Sequence, residues 1–156
     1  MYIRSSLESD YEMLIDVVND WWQGRQMAQM LPRLFFQHFN KTSFILERDE
    51  KILGFLIGFI SQTNEKDAYI HFVGIHPKYR GSGLGATLYR TFFDKVKEYG
   101  CSYVKCITSP INQNSIAYHT HMGFEIVKGD YEIGGITAHR NYDGTGEDRV
   151  VFVRKI

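Results

Sequence analysis

The sequence has no excess charge of either sign and no long apolar run. Its 156 residues include 18 Lys and Arg and 18 Asp and Glu, so the formal net charge is zero. Affinity for a phosphate backbone depends on excess basic charge, and this balance therefore disfavours a nucleic-acid partner. The longest strongly apolar run, residues 52–60, is far shorter than the about 20 residues that a membrane-spanning helix needs. We expect neither a nucleic-acid partner nor a membrane span.

Cysteine is scarce, and the N-terminus has no long apolar stretch. Cys101 and Cys106 are the only cysteines, and their spacing suits neither a CxxC motif nor a short disulfide. The first residues, MYIRSSLESDYE, lack the apolar segment of a secretory signal peptide. These features predict buried reduced thiols and a cytoplasmic protein.

Apolar periodicity predicts one mixed α/β domain over residues 1–156. The predicted order is a strand, two helices, three strands, a helix, a strand, a helix and two strands. The predicted strands are 1–4, 43–47, 52–61, 68–75, 103–108, 124–128 and 149–154, and the predicted helices are 10–19, one opening at Pro32, 84–99 and 115–122. The polar stretch 129–147 is expected to form either a loop or one wall of a substrate pocket.

Three glycines lie within five positions at 81–85, in the stretch YRGSGLGATLY. Ordered glycine costs conformational entropy, so the pattern indicates either a tight turn or backbone N–H groups that surround an anion at a helix N-terminus. A dinucleotide site is disfavoured because HPKYR separates the glycines from the preceding strand, and no acid follows about 20 residues later. A P-loop is excluded because no Gly-Lys-Ser/Thr follows. We favour a pyrophosphate cradle.

Two motifs carry a resemblance to a known family. Residues 80–85, RGSGLG, match the R/Q-x-x-G-x-G/A signature of the GNAT superfamily of N-acetyltransferases. Residues 112–124, NQNSIAYHTHMGF, resemble the N-x-x-A/S-x-x-F/L-Y/H-x-x-x-G-F helix of the same superfamily. The chain resembles a GNAT member over nearly its whole length in element order. The resemblance implies a mixed, mostly antiparallel sheet that splays after the fourth strand and is flanked by about four helices.

The resemblance also implies an activity and a set of binding residues. The activity is direct transfer of an acetyl group from acetyl-CoA, as cosubstrate, to a primary amine of a small-molecule or peptide acceptor. The implied acetyl-CoA contacts are Phe72, Val73, Gly74 and Ile75 on the fourth strand, Arg80, Gly81, Ser82, Gly83, Leu84, Gly85 and Ala86 in the glycine turn, and Asn112, Ser115 and His119. A non-catalytic acyl-CoA-binding regulatory module is the alternative, and a homodimer is left open.

Three residues are candidates for proton transfer. An attacking amine must be neutral although a lysine-like amine has a pKa of about 10.4. The glutamate that the family often uses is absent, and His71 is the candidate base, with a hydrogen-bonded structural histidine as the alternative. His119 occupies the position of the family's usual tyrosine, so the resemblance makes it the candidate donor to the leaving thiolate, with Tyr118 as the rival. His119 and His121 point about 200° apart on a helix, and no metal site is expected.

Aromatic residues in the first helical region have two interpretations. Trp21, Trp22 and Phe35 either belong to the apolar core or line the acceptor pocket, as residues of the first helices often do in the family. All three are therefore candidate substrate-binding residues.

Overall fold

Nine strands are present in the computed structural model, which describes residues 1–156. They are β1 (Tyr2–Ser5), β2 (Phe44–Arg48), β3 (Lys51–Ile60), β4 (Asp67–Ile75), β5 (Tyr103–Thr108), β6 (Glu125–Ile126), β7 (Tyr131–Ile133), β8 (Ile136–Ala138) and β9 (Val150–Lys155). Seven of them form one sheet in the order β1-β2-β3-β4-β5-β9-β6. Every neighbouring pair in it is antiparallel except β4 and β5, which are parallel. The predicted mixed, mostly antiparallel sheet is confirmed.

Five α-helices cover the two faces of this sheet. They are α1 (Asp10–Ile15), α2 (Val18–Trp21), α3 (Arg33–His38), α4 (Leu84–Glu98) and α5 (Gln113–His121). Short 3₁₀ turns lie at Ala28–Met30, Asn40–Thr42 and Pro77–Tyr79. No helix has both the length and the hydrophobicity that a membrane crossing requires.

The single helix predicted at 10–19 is divided into α1 and α2. The break falls at Asp16 and Val17, within a run of β-branched and short polar residues that are poor helix formers. The break lets α2 turn towards the end of β4, where Trp21 and Trp22 contact the sheet.

Two apolar cores lie on opposite faces of the sheet. On one face, Leu88, Phe92 and Val96 of α4 are fully buried at the predicted i, i+4 spacing. On the other face, α1, α2 and α3 contribute a smaller core with Phe55 at its centre. Cys101 and Cys106 are free, buried thiols, as predicted, and burial raises the pKa of each.

The stretch 129–147 contains a hairpin that the sequence reading missed. β7 and β8 pair antiparallel, and Gly134 and Gly135 join them with positive φ angles of 56° and 80°. A Gly-Gly pair between short strands is a strong hairpin signal, so local sequence information was sufficient to predict it. The loop after β8 is held by hydrogen bonds to Asp148 from the Tyr131 hydroxyl (2.6 Å) and the Asn141 N–H (2.8 Å).

Candidate functional site

β4 and β5 separate towards their C-terminal ends. Pairing between them is limited to Asp67, Ala68 and Tyr69 of β4, opposite residues 103–105 of β5. Residues 70–75 of β4 therefore have no partner strand on that side. We call the space between residues 70–75 of β4 and 106–108 of β5 the wedge. Its β4 edge presents unpaired backbone N–H and C=O groups, which can bind an extended ligand as an added strand would bind.

A β-bulge in β4 shapes the closed end of the wedge. Ile57 of β3 pairs with Phe72 and Gly58 pairs with Ile70, so His71 is the extra residue. A bulge bends its strand and locally disrupts the alternation of side chains. Ile70 accordingly packs into the core on the α4 side, whereas Phe72 packs into the core on the α1–α3 side. His71 and Phe72 thus both lie on the side of the first helices.

The predicted glycine turn lies at the open end of the wedge. Gly81 and Gly83 have positive φ angles of 78° and 82°, and a Cβ at either would meet nothing within 4 Å. The left-handed backbone itself therefore requires glycine here. Gly83 is the N-cap of α4, and no side chain caps that end of the helix. The first N–H groups of α4 lack intrahelical acceptors, and together with the helix dipole they suit an anion.

Tyr118 of α5 reaches the start of α4. A Cβ on Gly85 would lie 2.9 Å from the Tyr118 hydroxyl oxygen and 3.8 Å from Cγ1 of Ile75. The hydroxyl therefore lies between the first turn of α4 and the end of β4, where the wedge opens. Burial raises the pKa of Tyr118, so the hydroxyl stays protonated at neutral pH and can donate a hydrogen bond.

His119, the next residue, points into the core instead. Its ring is stacked on Phe152, with centroids 4.9 Å apart, and the residue is 8% exposed. Nδ1–H donates to the Ser115 carbonyl at 2.8 Å, and the Tyr89 hydroxyl donates to Nε2 at 2.9 Å. Burial lowers the pKa of His119, so the ring is neutral. With both nitrogens occupied inside the core, His119 is not placed to reach a thiolate, contrary to the expectation from its motif position.

Asn112 and Ser115 mark the beginning of α5, on the β5 side of the wedge. The Asn112 side chain caps the helix, since its Oδ1 accepts from the Ser115 N–H at 3.1 Å. The cap leaves the amide nitrogen of Asn112 free to donate to a ligand.

The three aromatic candidates fall into two groups. Trp21 is 5% exposed and packs between Phe55 and His76, with ring centroids 6.0 and 5.4 Å away. Trp22 is more accessible and lies over β4, where Phe72 is 5.1 Å from it. A Cβ on Gly74 would come within 2.8 Å of the Trp22 indole. Trp22 therefore borders the wedge, whereas Trp21 belongs to the core.

His71 is half-buried on the same face. Its ring stacks on Phe35 with centroids 4.3 Å apart and planes inclined by 12°. Nε2–H donates to the Met30 carbonyl, and this tautomer leaves Nδ1 as a proton acceptor. Burial lowers the pKa of His71, so the imidazole is neutral at pH 7 and can accept a proton.

Comparison with known proteins assigns the chain to a family. The sequence model of the Acetyltransferase (GNAT) family matches residues 11–124. The chain belongs to the GNAT family. The resemblance seen in the two sequence motifs is thereby confirmed. The match includes β4, the glycine turn, β5 and α5, which border the wedge.

Solved GNAT structures share the whole fold at low identity. The ribosomal-protein-S18-alanine N-acetyltransferase from Escherichia coli is 20% identical with a TM-score of 0.69, covering 99% of this chain and 93% of that one. YncA from Salmonella typhimurium, solved with its cofactor acetyl-CoA, is 16% identical with a TM-score of 0.71, again covering 99% and 93%. At these identities the likeness shows the fold.

One curated relative matches this chain over part of the length of each protein. The L-2,4-diaminobutyric acid acetyltransferase of Nocardia farcinica is 30% identical over 84 residues, which are 54% of this chain and 44% of that protein. The matched region is thus about half of this GNAT chain and less than half of the relative.

Two features of this GNAT site lay outside the sequence reading. The bulge at His71 arises from the pairing of β3 with β4, and the Tyr89–His119 hydrogen bond joins residues 30 positions apart. Neither has a local sequence signal.

No group of three or more His, Cys, Asp or Glu side chains is arranged to hold a metal ion.

Proposed function

We propose that this protein transfers an acetyl group from acetyl-CoA directly to a primary amine, using residues 1–156 as one catalytic domain. The observation that carries the proposal is the wedge, whose free β4 edge leads to an uncapped, glycine-bounded helix N-terminus. An extended amide-containing arm fits the edge, and a pyrophosphate fits the helix N-terminus. Membership of the GNAT family supports the same assignment.

Each part of the cosubstrate has a matching part of the chain. Phe72, Val73, Gly74 and Ile75 offer backbone groups to the pantetheine arm, and Asn112 and Ser115 face it from the β5 side. The turn formed by Arg80, Gly81, Ser82, Gly83, Leu84, Gly85 and Ala86 offers N–H groups to the pyrophosphate. Acetyl-CoA, when bound, supplies a thioester-activated acetyl group.

Two proton transfers are assigned to residues on opposite sides of the wedge. His71 Nδ1 accepts a proton from the acceptor ammonium, because Nε2 is already bound to Met30. The Tyr118 hydroxyl holds the proton offered to the leaving sulfur, taking the role that the motif alone assigned to His119. A backbone N–H at the bulge polarises the acetyl carbonyl. Trp22 and Phe35 form the acceptor side.

The acceptor class is a small-molecule or peptide amine. Relatives acting on diaminobutyric acid and on ribosomal-protein alanine support this class. The neutral net charge gives no basis for a nucleic-acid partner. The buried reduced thiols support a cytoplasmic location.

The experiment is a thiol-release assay with acetyl-CoA and a panel of amines. The panel contains 2,4-diaminobutyrate, other diamines and amino acids, and peptides with a free N-terminal alanine. Wild-type protein is expected to release CoA thiol with at least one acceptor, and Tyr118→Phe is expected to release it at least tenfold more slowly. Tight binding of acetyl-CoA without thiol release from any member would instead support the acyl-CoA-binding regulatory module.

A further inference from the structure

The Arg80 side chain turns away from the glycine turn to which its backbone belongs. Nε donates to the Ile75 carbonyl at 3.1 Å, at the end of β4. Nη2 donates to the Trp21 carbonyl, at the end of α2. The guanidinium carbon also lies 5.4 Å from the centre of the Trp22 ring. We call these three contacts the Arg80 tether.

The tether holds the C-terminal end of a short helix whose Val18 and Trp21 side chains are buried in the smaller core. α2 has only four residues, and the last carbonyls of a helix lack intrahelical partners. Arg80 satisfies one of these carbonyls, that of Trp21, and its positive charge is favourable at the negative end of the helix dipole. Gln23 and Gly24 follow with positive φ angles of 57° and 86°, so the chain turns sharply away from the sheet directly after Trp22.

The segment after α2, residues 22–30, is anchored to β4 at its two ends. Trp22 packs on Phe72 at its beginning, and the Met30 carbonyl accepts from His71 at its end. Between these ends, the N–H groups of Met27 and Ala28 donate to the side chain of Asn19 in α2 at 2.8 and 2.9 Å. Arg80 and His71 thus hold the two ends of the segment against β4, and Met27 and Ala28 pack against the smaller core between them.

We propose that the Arg80 side chain is a positioning residue for the acceptor side of the site. Its backbone lies in the turn for the pyrophosphate, while its guanidinium fixes Trp22 against β4. The guanidinium is engaged by two protein carbonyls and is directed away from a phosphate at the turn. This inference rests on the proposed function, because it takes Trp22 as part of the acceptor wall. Lysine cannot replace arginine here, since a single ammonium cannot reach two divergent carbonyls and cover an indole.

The two tryptophans of the chain give a readout that needs neither cofactor nor acceptor. Trp21 and Trp22 are the only tryptophans, and both belong to the tether. Arg80→Lys is expected to shift the tryptophan emission of the free protein to longer wavelength and to increase its quenching by iodide. The shift should disappear in an Arg80→Lys protein that also carries Trp22→Phe.

Binding and kinetics distinguish a positioning residue from a phosphate ligand. For Arg80→Lys and Arg80→Ala we expect the calorimetric Kd for CoA to change less than threefold. We expect the acceptor KM of the same variants to rise at least tenfold. Lys78→Ala, a control that removes a nearby cation without touching either tryptophan, is expected to leave the emission unchanged.

Two results would overturn the inference. Unchanged emission and quenching in Arg80→Lys, with a circular dichroism spectrum like that of the wild type, would show that the tether does not hold Trp22. A tenfold loss of CoA affinity with unchanged emission would make Arg80 a phosphate ligand instead. Both tests use the free protein or CoA alone, so they remain decisive even if no amine is acetylated. Should Arg80→Ala fail to fold, Arg80→Lys carries the test.

Discussion

His119→Ala tests whether this histidine belongs to the core or to the catalytic machinery. The substitution leaves the Tyr89 hydroxyl, in a side chain only 3% exposed, without its acceptor, and an unpaired buried hydroxyl costs about 1–3 kcal/mol. It also leaves a void beside Phe152, where truncation of a ring costs about 3–5 kcal/mol. Some collapse of the site reduces the sum, so we expect a loss of about 4 kcal/mol in the free energy of unfolding, or about 8–16 °C in Tm.

Urea denaturation and a thermal melt measure this loss, and a second substitution apportions it. Tyr89→Phe in the His119→Ala background removes the orphaned hydroxyl. It should therefore recover part of the lost free energy, about 1 kcal/mol or more. The same Tyr89→Phe change in the wild type should be destabilising, because it leaves His119 Nε2 unpaired.

Kinetics supply the other half of the test. Tyr118→Phe should lower kcat at least tenfold with little change in Tm, because the hydroxyl lies at the partly exposed edge of the wedge. His119→Ala, measured below its melting range, should retain most of the wild-type kcat. A His119→Ala protein with wild-type Tm and a tenfold loss of kcat would refute this reasoning. It would make His119 the proton donor to the leaving thiolate.

Three further outcomes follow from the structure. Gly83→Val forces a branched side chain into a left-handed backbone conformation (φ 82°), which costs about 1–2 kcal/mol of stability. Calorimetry should show at least tenfold weaker CoA binding, and wild-type affinity would contradict the anion role of the turn. Arg4→Met removes the guanidinium that binds buried Asp10 at 2.8 Å and should cost about 3 kcal/mol in urea denaturation; a loss below about 1 kcal/mol would contradict it. Burial lowers the pKa of His119 in the folded state. Below about pH 6.5 the unfolded chain therefore binds more protons than the folded protein does. The free energy of unfolding then decreases as the pH is lowered, until the folded-state pKa is passed. His119→Gln should show a smaller fall between pH 7.5 and 5.5, and an equal fall would place the effect elsewhere.

Local patterns predicted the elements that local sequence determines. β5 was predicted at 103–108 and has those bounds, and α4 begins at the predicted Leu84. Both follow from side-chain periodicity and glycine placement within one segment. The hairpin at Gly134 and Gly135 was equally local, and the sequence reading missed it.

Features of the site that depend on distant partners could not be predicted in this way. The bulge at His71 depends on how β3 pairs with β4, and it cancels the alternation from which the orientation of neighbouring side chains is inferred. The choice between Tyr118 and His119 depends on the rotation of α5 against α4. That rotation is fixed by packing around Tyr89, a residue of another helix.

The proposed cosubstrate contacts use main-chain groups, whereas the proposed acceptor contacts use side chains. The wedge edge and the glycine turn present main-chain groups, which every residue type except proline supplies in full. In the proposed assignment, the acceptor side is formed by the side chains of Trp22, Phe35 and His71. Exchanging one of these changes the shape and polarity of the acceptor wall without altering the β4 edge. Substitutions at Trp22 should therefore change the acceptor KM more than the acetyl-CoA KM, and the response across the amine panel will report the chemistry of this wall.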